Sequence, residues 1–253
     1  MRIAAVQHDI VWEDRAANFA RLAPQVARAA GAGAELVVLS ETFSTGFSMT
    51  PGIGEPEGGP SARFLAGCAA EHGIWVGGSC PEIADDGDLP FNSFVLAGPD
   101  GEVHRYRKLH PFTHGGEHER FRAGKGPVTV TVGGLRITPF VCYDLRFADV
   151  FWPAAAGTDV YLVTANWPAA RREHWTTLLR ARAIENQAYV VGCNRVGTAG
   201  DGTAHTGDSR IVDPMGEVLA SASGTETLVV ADVDAAEVTA TRDRLRFLPD
   251  RRG

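Results

Sequence analysis

The sequence predicts an α/β fold made of two similar halves. Short apolar segments typical of buried strands alternate along the chain with longer segments that carry a helical pattern. Segments of the first half also recur, in the same order, in the second half. No stretch rich in glycine, serine or proline separates the halves, so we expect one domain over residues 1–253. Two such halves predict two sheets packed face to face, with helices outside.

The predicted strands are short and mostly lack strict alternation, which is typical of strands buried on both faces. In the first half they span residues 3–7, 36–41, 74–79, 93–97 and 103–108. In the second half they span 128–132, 135–141, 160–165, 189–193, 209–213 and 217–220. The turn formers Pro-Asp-Gly at 99–101 and Pro-Met-Gly at 214–216 predict a hairpin in each half.

The predicted helices span residues 15–30, 61–71, 148–156 and 173–186. Pro24 lies in the middle of the first of them. A proline inside a helix removes one backbone hydrogen bond and clashes with the preceding turn. We therefore expect a kink or a break at Pro24.

The internal repeat depends on three aligned segments. Two of the alignments share an offset of 115: residues 74–77 align with 189–192, and residues 99–103 align with 214–218. The third aligns residues 36–39 with 160–163, at an offset near 124. A chance recurrence of a common turn is the alternative. Agreement of three segments in order favours an internally duplicated fold.

Composition excludes several classes of protein. The 253 residues are 44% hydrophobic and 22% charged, with a net charge of −7, which is ordinary for a globular protein and unfavourable for general nucleic-acid binding. No apolar run approaches the roughly 18 residues of a membrane span. The start MRIAAVQHDI lacks the apolar core of a signal peptide. Four scattered cysteines without a C-x-x-C pair predict reducing cytoplasm.

The candidate nucleophile is Cys142, at the end of the predicted strand in ITPFVCYDLRF. A helix-like segment follows it within a few residues, and a helix N-terminus would favour the thiolate. The alternative is a buried structural cysteine. The other three cysteines lie inside strand or helix patterns, where core packing is the favoured interpretation.

Two more strand ends carry charged residues. Glu41 ends LVVLSE and Lys108 ends the predicted strand in HRYRKLHPF, while Glu117 lies on a glycine-rich loop beyond Lys108. A carboxylate buried at a strand end is costly unless it is paired or used. The carboxyl ends of strands in an α/β sheet meet at one edge, so Glu41, Lys108 and Cys142 are expected to converge. A nucleophilic thiol needs such a base and such an oxyanion-stabilising cation.

These residues stand in motifs that resemble the nitrilase superfamily of carbon–nitrogen hydrolases over nearly the whole chain. The matching motifs are LSETF around Glu41, YRKLHPF around Lys108, VCYDLRF around Cys142, TANWP at 164–168 and ARAIENQAYVVGCNR at 181–195. The CYDLRF form resembles the omega-amidase branch and differs from the nitrile-hydrolysing branch, whose cysteine is usually followed by Trp-Glu. The resemblance implies a nitrilase-like four-layer αββα sandwich that forms homodimers or higher homo-oligomers.

The resemblance also implies a catalytic triad of Glu41, Lys108 and Cys142. Glu117 corresponds to the family's second glutamate, although Glu119 is a near neighbour and remains the alternative. The implied reaction is hydrolysis of a small primary amide through a thioester. The oxyanion is held by Lys108 and by the backbone N–H of Tyr143, and no metal or organic cofactor is required.

The omega-amidase branch implies a substrate with a carboxylate at the end away from the amide, such as 2-oxoglutaramate. Arg146, four residues after Cys142, is the candidate partner for that carboxylate. An ion pair with Asp144, with Asp149 or with a partner subunit is the alternative. Tyr143 and Trp167, the latter in TANWP, are the other candidate substrate-binding residues.

Several other functions remain open at this point. An N-carbamoyl amino acid amidohydrolase or another aliphatic amidase would use the same triad. A cysteine–histidine hydrolase would need a histidine beside Cys142. The spacing of His110, His114 and His118 suggests zinc, although Pro111 and a Gly-Gly pair argue against a helix there. A non-enzymatic binding module would be favoured by loss of the triad, and all three residues are present.

Overall fold

The computed structural model describes residues 1–85 and 87–252. The helices in this part of the chain are α1 Arg15–Gly31, α2 Pro60–His72, α3 Ala148–Phe151, α4 Arg172–Asn186 and α5 Ala235–Leu245. The strands are β1 Arg2–Gln7, β2 Leu36–Val38, β3 Glu55–Pro56, β4 Trp75–Ile83, β5 Phe91–Ala97, β6 Val103–Arg107, β7 Val130–Val132, β8 Leu135–Val141, β9 Val160–Ala165, β10 Tyr189–Asn194, β11 Val196–Thr198, β12 Ala204–Val212, β13 Val218–Ser223 and β14 Thr227–Asp232.

The strands form two sheets that repeat one topology. The first has the order β14-β1-β2-β4-β5-β6, with β3 beside β4, and the second has the order β11-β12-β10-β9-β8-β7, with β13 beside β12. In the first sheet β1, β2 and β4 run parallel, and β5 and β6 follow antiparallel. In the second, β8, β9 and β10 run parallel, and β12 and β13 follow antiparallel. The predicted duplication is therefore visible in the strand order.

The two sheets pack face to face and helices cover their outer faces. Ile3 and Phe94 of the first sheet share a buried core with Phe140 and Tyr161 of the second. A separate cluster joins Leu22 of α1 to the outer face of the first sheet, with Leu65 of α2 and Val37 among its members. Helix α4 packs Trp175 and Leu179 on the second sheet. These contacts confirm the predicted four-layer αββα sandwich.

Helix α1 runs unbroken across Pro24, so of the kink or break that the sequence predicts there, the break does not occur. The proline ring lies on the exposed side, whereas Leu22, Val26 and Ala29 are buried. Burial of each large apolar side chain contributes about 1.5–3 kcal/mol. Together these contacts offset the roughly 3 kcal/mol that a proline costs inside a helix. The expected break is therefore wrong.

Among the strands and α-helices of the described residues, sequence patterns missed β3, β11, β14 and α5. Strand β14 pairs with β1 in antiparallel register along all six residues, from Arg2 opposite Asp232 to Gln7 opposite Thr227. Helix α5 buries only Val238 and Thr241, so it carries almost no apolar pattern. No helix among the described residues is long and apolar enough to cross a membrane.

Candidate active site

The three predicted strand-end residues meet at one edge of the sandwich. Glu41 follows β2, Lys108 directly follows β6 and Cys142 directly follows β8. Lys108 Nζ lies 2.9 Å from Glu41 Oε1 and 2.8 Å from Glu117 Oε2. All three of these charged side chains are fully buried. Glu119, the alternative second glutamate, is exposed, so the structure brings Glu117 and not Glu119 to the lysine.

Lys108 is held as an ammonium by its two carboxylates. Burial by itself lowers the pKa of Lys108, but the charges of Glu117 and Glu41 outweigh burial and raise that pKa above its ordinary value. Burial also raises the pKa of Glu117, against the opposing charge of Lys108. A buried ion needs such partners, because leaving it unpaired costs several kcal/mol. The lysine therefore presents a fixed positive charge beside Cys142.

Cys142 occupies a strained backbone position at the end of β8. Its φ is +45°, in the left-handed region that a non-glycine residue rarely adopts. The residues after it, Cys142–Arg146, form a single turn of 3-10 helix. Strain of this kind costs on the order of 1–3 kcal/mol and persists only where surrounding contacts enforce it. The result is a half-buried thiol at the point where the strand turns.

The electrostatic surroundings of Cys142 oppose the thiolate, contrary to the sequence-based prediction. Burial raises the pKa of Cys142 well above its ordinary value, and the Glu41 charge raises it further, while Lys108 opposes this rise. The predicted help from a helix N-terminus is wrong, because the segment after Cys142 is a short 3-10 turn and α3 begins only at Ala148. The free protein thus holds a protonated thiol next to a carboxylate that can accept its proton.

Two asparagines that sequence reasoning missed complete the surroundings of Glu41. Asn92 Nδ2 donates to Glu41 Oε1 at 2.8 Å and to Glu117 Oε1 at 3.1 Å. The backbone N–H of Asn166 donates to Glu41 Oε2 at 2.8 Å. Each carboxylate oxygen of Glu41 therefore has a hydrogen-bond donor that fixes its orientation. Asn166 lies in the TANWP motif and could have been singled out there, whereas Asn92 has no local signal beyond a polar residue in an apolar strand.

Asp144 was also missed, and it joins the turn after Cys142 to the strand that carries Lys108. Its Oδ2 accepts from Tyr106 Oη at 2.7 Å and from the backbone N–H of Val141 at 3.1 Å. Its Oδ1 accepts from the backbone N–H of His110 at 2.9 Å. The side chain is fully buried. Asp144 thus positions Cys142 relative to Lys108 and forms no ion pair with Arg146.

A cavity of about 410 Å³ opens onto the thiol, and the predicted substrate-binding residues lie on its wall. Cys142, Glu41, Tyr143, Arg146 and Trp167 all line it. The Arg146 guanidinium lies 4.8 Å from the centre of the Trp167 ring, and its Nη2 lies 3.2 Å from His174 Nδ1. Within the described residues Arg146 forms no ion pair with Asp144 or Asp149. Lys108 and Glu117 are not among the residues that line the cavity.

The alternative chemistries gain no support from these contacts. The charges that set the pKa of Cys142 belong to Glu41, Lys108 and Glu117, not to a histidine. His114 and His118 lie in two separate 3-10 turns, Thr113–Gly115 and Glu117–Glu119. In the part of the chain that the structure covers, no group of three or more His, Cys, Asp or Glu side chains is arranged to hold a metal ion.

Comparison with known proteins gives consistent matches over the whole fold. The family model described as carbon-nitrogen hydrolase matches residues 2–243. Omega-amidase YafV of Escherichia coli K12 is 38% identical over 96% of this chain and 94% of its own length. A 2-oxoglutaramate amidase of Bacillus subtilis is 31% identical over 86% of this chain and 85% of its own. The crystal structure of XC1258 from Xanthomonas campestris, a CN-hydrolase superfamily protein with an arsenic adduct in its active site, is 36% identical and superimposes with a TM-score of 0.95, covering 100% of this chain and 97% of that one.

We expect Glu41→Gln to lower the pKa of the Cys142 thiol. The carboxylate's negative charge disfavours the thiolate, so removing that charge makes ionisation easier. The pH midpoint for alkylation of Cys142 by iodoacetamide, followed by intact mass, should move to lower pH. Lys108→Met should move the midpoint to higher pH, because it removes the favourable charge, and Cys142→Ala identifies the labelled site. A midpoint unchanged in both variants would contradict this account of the electrostatics.

We expect Asp144→Ala to lower the free energy of unfolding by about 3 kcal/mol or more, since several buried donors lose their acceptor. Urea unfolding of purified protein measures this difference. Asp149→Ala is the matched control, because Asp149 is exposed in the same segment and should change stability by no more than about 0.5 kcal/mol. Equal stability of the two variants would show that Asp144 does not hold the turn.

Proposed function

Because this chain belongs to the carbon–nitrogen hydrolase family, we propose that it cleaves small primary amides to a carboxylate and ammonia through a thioester on Cys142. It is a hydrolase that acts on carbon–nitrogen bonds other than peptide bonds, and within that class it is an amidase. The observation that carries the mechanism is the buried Lys108 ammonium, held between Glu41 and Glu117 beside a half-buried thiol that opens onto a cavity.

The first half of the proposed reaction forms the thioester. Glu41 accepts the proton of the Cys142 thiol, which is needed because burial and the Glu41 charge keep that thiol protonated. The sulfur then attacks the amide carbonyl carbon. The developing oxyanion is stabilised by the Lys108 ammonium and by the backbone N–H of Tyr143. Glu41 returns its proton to the departing nitrogen, and ammonia leaves.

The second half hydrolyses the thioester. Glu41 takes a proton from water, and the resulting hydroxide attacks the thioester carbonyl. The carbon–sulfur bond then breaks, the carboxylic acid product leaves, and Glu41 returns its proton to the sulfur, which restores the thiol of Cys142. Glu117 acts as the second glutamate by holding Lys108 through both carboxylate oxygens, at 2.8 and 3.1 Å. It accepts a further hydrogen bond from the backbone N–H of Phe112 at 2.6 Å. This arrangement keeps the ammonium in place through both steps and uses no metal or organic cofactor.

The proposed substrate is an omega-amide of a dicarboxylic or 2-oxo dicarboxylic acid, such as 2-oxoglutaramate. The names of two relatives, omega-amidase and 2-oxoglutaramate amidase, support this substrate class. Arg146 lies on the cavity wall over Trp167, where a guanidinium can meet the carboxylate at the far end of such a molecule. Tyr143 and Trp167 provide the aromatic wall between the two ends.

We further propose one domain over residues 1–253, assembly as a homodimer or higher homo-oligomer, and a reducing, cytoplasmic setting. Trp152, Ile184 and Phe247 expose large apolar side chains, which supports assembly through the helical face. All four cysteines are free thiols, which supports the reducing setting.

The decisive experiment measures ammonia release from a panel of primary amides, nitriles and N-carbamoyl amino acids. Dicarboxylic acid monoamides such as 2-oxoglutaramate and succinamate should be the best substrates, with nitriles weak. Robust hydrolysis of simple nitriles with weak amide activity would refute the amidase assignment. A preference for N-carbamoyl amino acids would favour the carbamoyl amidohydrolase alternative.

Cys142→Ala should abolish turnover of every amide while the protein remains folded, because the nucleophile is lost and a half-buried thiol is replaced by a small apolar group. Cys142→Ser should be nearly inactive, since an alcohol is a far weaker nucleophile at neutral pH. Ammonia release and circular dichroism measure the two properties. Near wild-type turnover in Cys142→Ala would overturn the thioester mechanism.

Lys108→Ala should reduce kcat by at least roughly 10²–10³-fold, the usual cost of losing one oxyanion donor. The loss should be larger than for a neutral donor, because Glu41 and Glu117 are then left facing each other without their shared cation. Lys108→Arg should also be poor, since a planar guanidinium does not fit the place of a compact ammonium. Steady-state kinetics on one amide decides this, and a kcat within a few-fold of wild type would exclude the oxyanion role.

A further inference from the structure

A second arginine, Arg171, lines the same cavity as Cys142 and Arg146. Its guanidinium has no hydrogen bond or ion pair with any residue that the structure describes. Its guanidinium carbon lies 5.7 Å from the centre of the Phe112 ring. The neighbouring Arg172, by contrast, pairs with Asp208 at 2.6 Å. Arg171 therefore presents an uncompensated cation with five free donors to the cavity.

The backbone of Arg171 is fixed although its side chain is not paired. Its carbonyl oxygen accepts from Trp167 Nε1 at 2.8 Å, and its N–H donates to Pro168 O at 3.0 Å. The N–H of Trp167 is in turn held by Asn194 Oδ1 at 2.8 Å. Trp167 thus links both arginines, since Arg146 stacks on its ring and Arg171 receives its indole hydrogen bond. These backbone contacts remain whatever side chain stands at position 171.

The charges on the cavity wall favour an anionic ligand. Apart from Glu41, the carboxylate of Asp201 is the one acidic group among the described residues that line the cavity. Asp201 Oδ1 already accepts from the backbone N–H of Thr203 at 2.9 Å. His205, also on the wall, has its pKa lowered to about 4 by burial and by the Arg195 charge, so it is neutral at pH 7. Arg146 and Arg171 are therefore the two guanidinium cations on this wall that a ligand carboxylate can meet.

We propose that Arg171 and Arg146 form a two-arginine site for the free carboxylate of the substrate, and that Arg171 sets the preference for anionic over neutral amides. The proposal rests on the amidase function above and adds the residue that selects its substrate. Arg146 shares its guanidinium with His174, whereas Arg171 has no competing partner, so Arg171 can offer the carboxylate a bidentate pair of N–H donors.

The test compares kcat/KM for succinamate with kcat/KM for butyramide, an uncharged primary amide of the same chain length. Arg171→Leu should lower the value for succinamate by about 10- to 100-fold and leave butyramide within a few-fold, because only succinamate loses a charge-assisted hydrogen bond. Arg171→Lys should recover part of the loss, since it restores the charge but not the planar fork. Arg172→Leu is the matched control and should leave the ratio unchanged.

A double-mutant cycle tests whether the two arginines act on one carboxylate. If they do, the losses for succinamate in Arg146→Leu and Arg171→Leu should not be additive in the double variant. Calorimetric binding of succinamate to Cys142→Ala, with and without Arg171→Leu, gives a readout that does not depend on turnover. Unchanged affinity, or equal losses on succinamate and butyramide, would overturn the role of Arg171. Failure of the wild-type protein to release ammonia from either amide would instead refute the proposed function.

Discussion

The buried Lys108 ammonium is the constraint on which the rest of the site depends. A lysine with no access to water is tolerated only when its charge is matched, and Glu41 and Glu117 match it from two directions. Glu41 follows β2 and Lys108 follows β6, both strands of the first sheet, and Glu117 lies in the loop beyond β6. Cys142, by contrast, follows β8 of the second sheet. The geometry of the candidate site therefore requires the two sheets to pack in one register, and the αββα sandwich provides that register.

The properties of Cys142 follow from the same cluster. Burial and the Glu41 carboxylate keep the thiol protonated, so the free protein holds a thiol beside a carboxylate that can accept its proton. The left-handed backbone at Cys142 directs the sulfur toward the cavity at the end of β8. Asp144 enforces this turn from a buried position and ties it to Tyr106 and His110. The backbone strain of Cys142, its raised pKa and the neighbouring carboxylate thus result from one arrangement of residues.

Internal duplication explains why residues so distant in sequence meet. Strands β2 and β9 occupy equivalent places in the two halves, and Glu41 and Asn166 follow them at nearly equivalent positions. The backbone N–H of Asn166 then donates to the Glu41 carboxylate across the interface between the sheets. The equivalent strand ends of the two halves therefore face each other. The end of β2 supplies the Glu41 carboxylate, and the end of β9 supplies Asn166, which orients that carboxylate. The family expected from the motifs, the nitrilase superfamily of carbon–nitrogen hydrolases, is confirmed by the match over residues 2–243.

The sequence by itself determined the fold class, the repeat and the convergence of Glu41, Lys108 and Cys142, because strand-end position and local motif are encoded over a few adjacent residues. It could not show that Glu117 rather than Glu119 meets Lys108, since a loop places neighbouring side chains in different directions. It missed Asn92, whose partners Glu117 and Glu41 lie 25 and 51 residues away, and Asp144, whose partners His110 and Tyr106 lie 34 and 38 residues away. It predicted a thiolate where burial produces a thiol, and it left open a break at Pro24, where packing keeps α1 continuous. Each of these outcomes depends on burial and on contacts between distant segments, which only the packed tertiary structure decides.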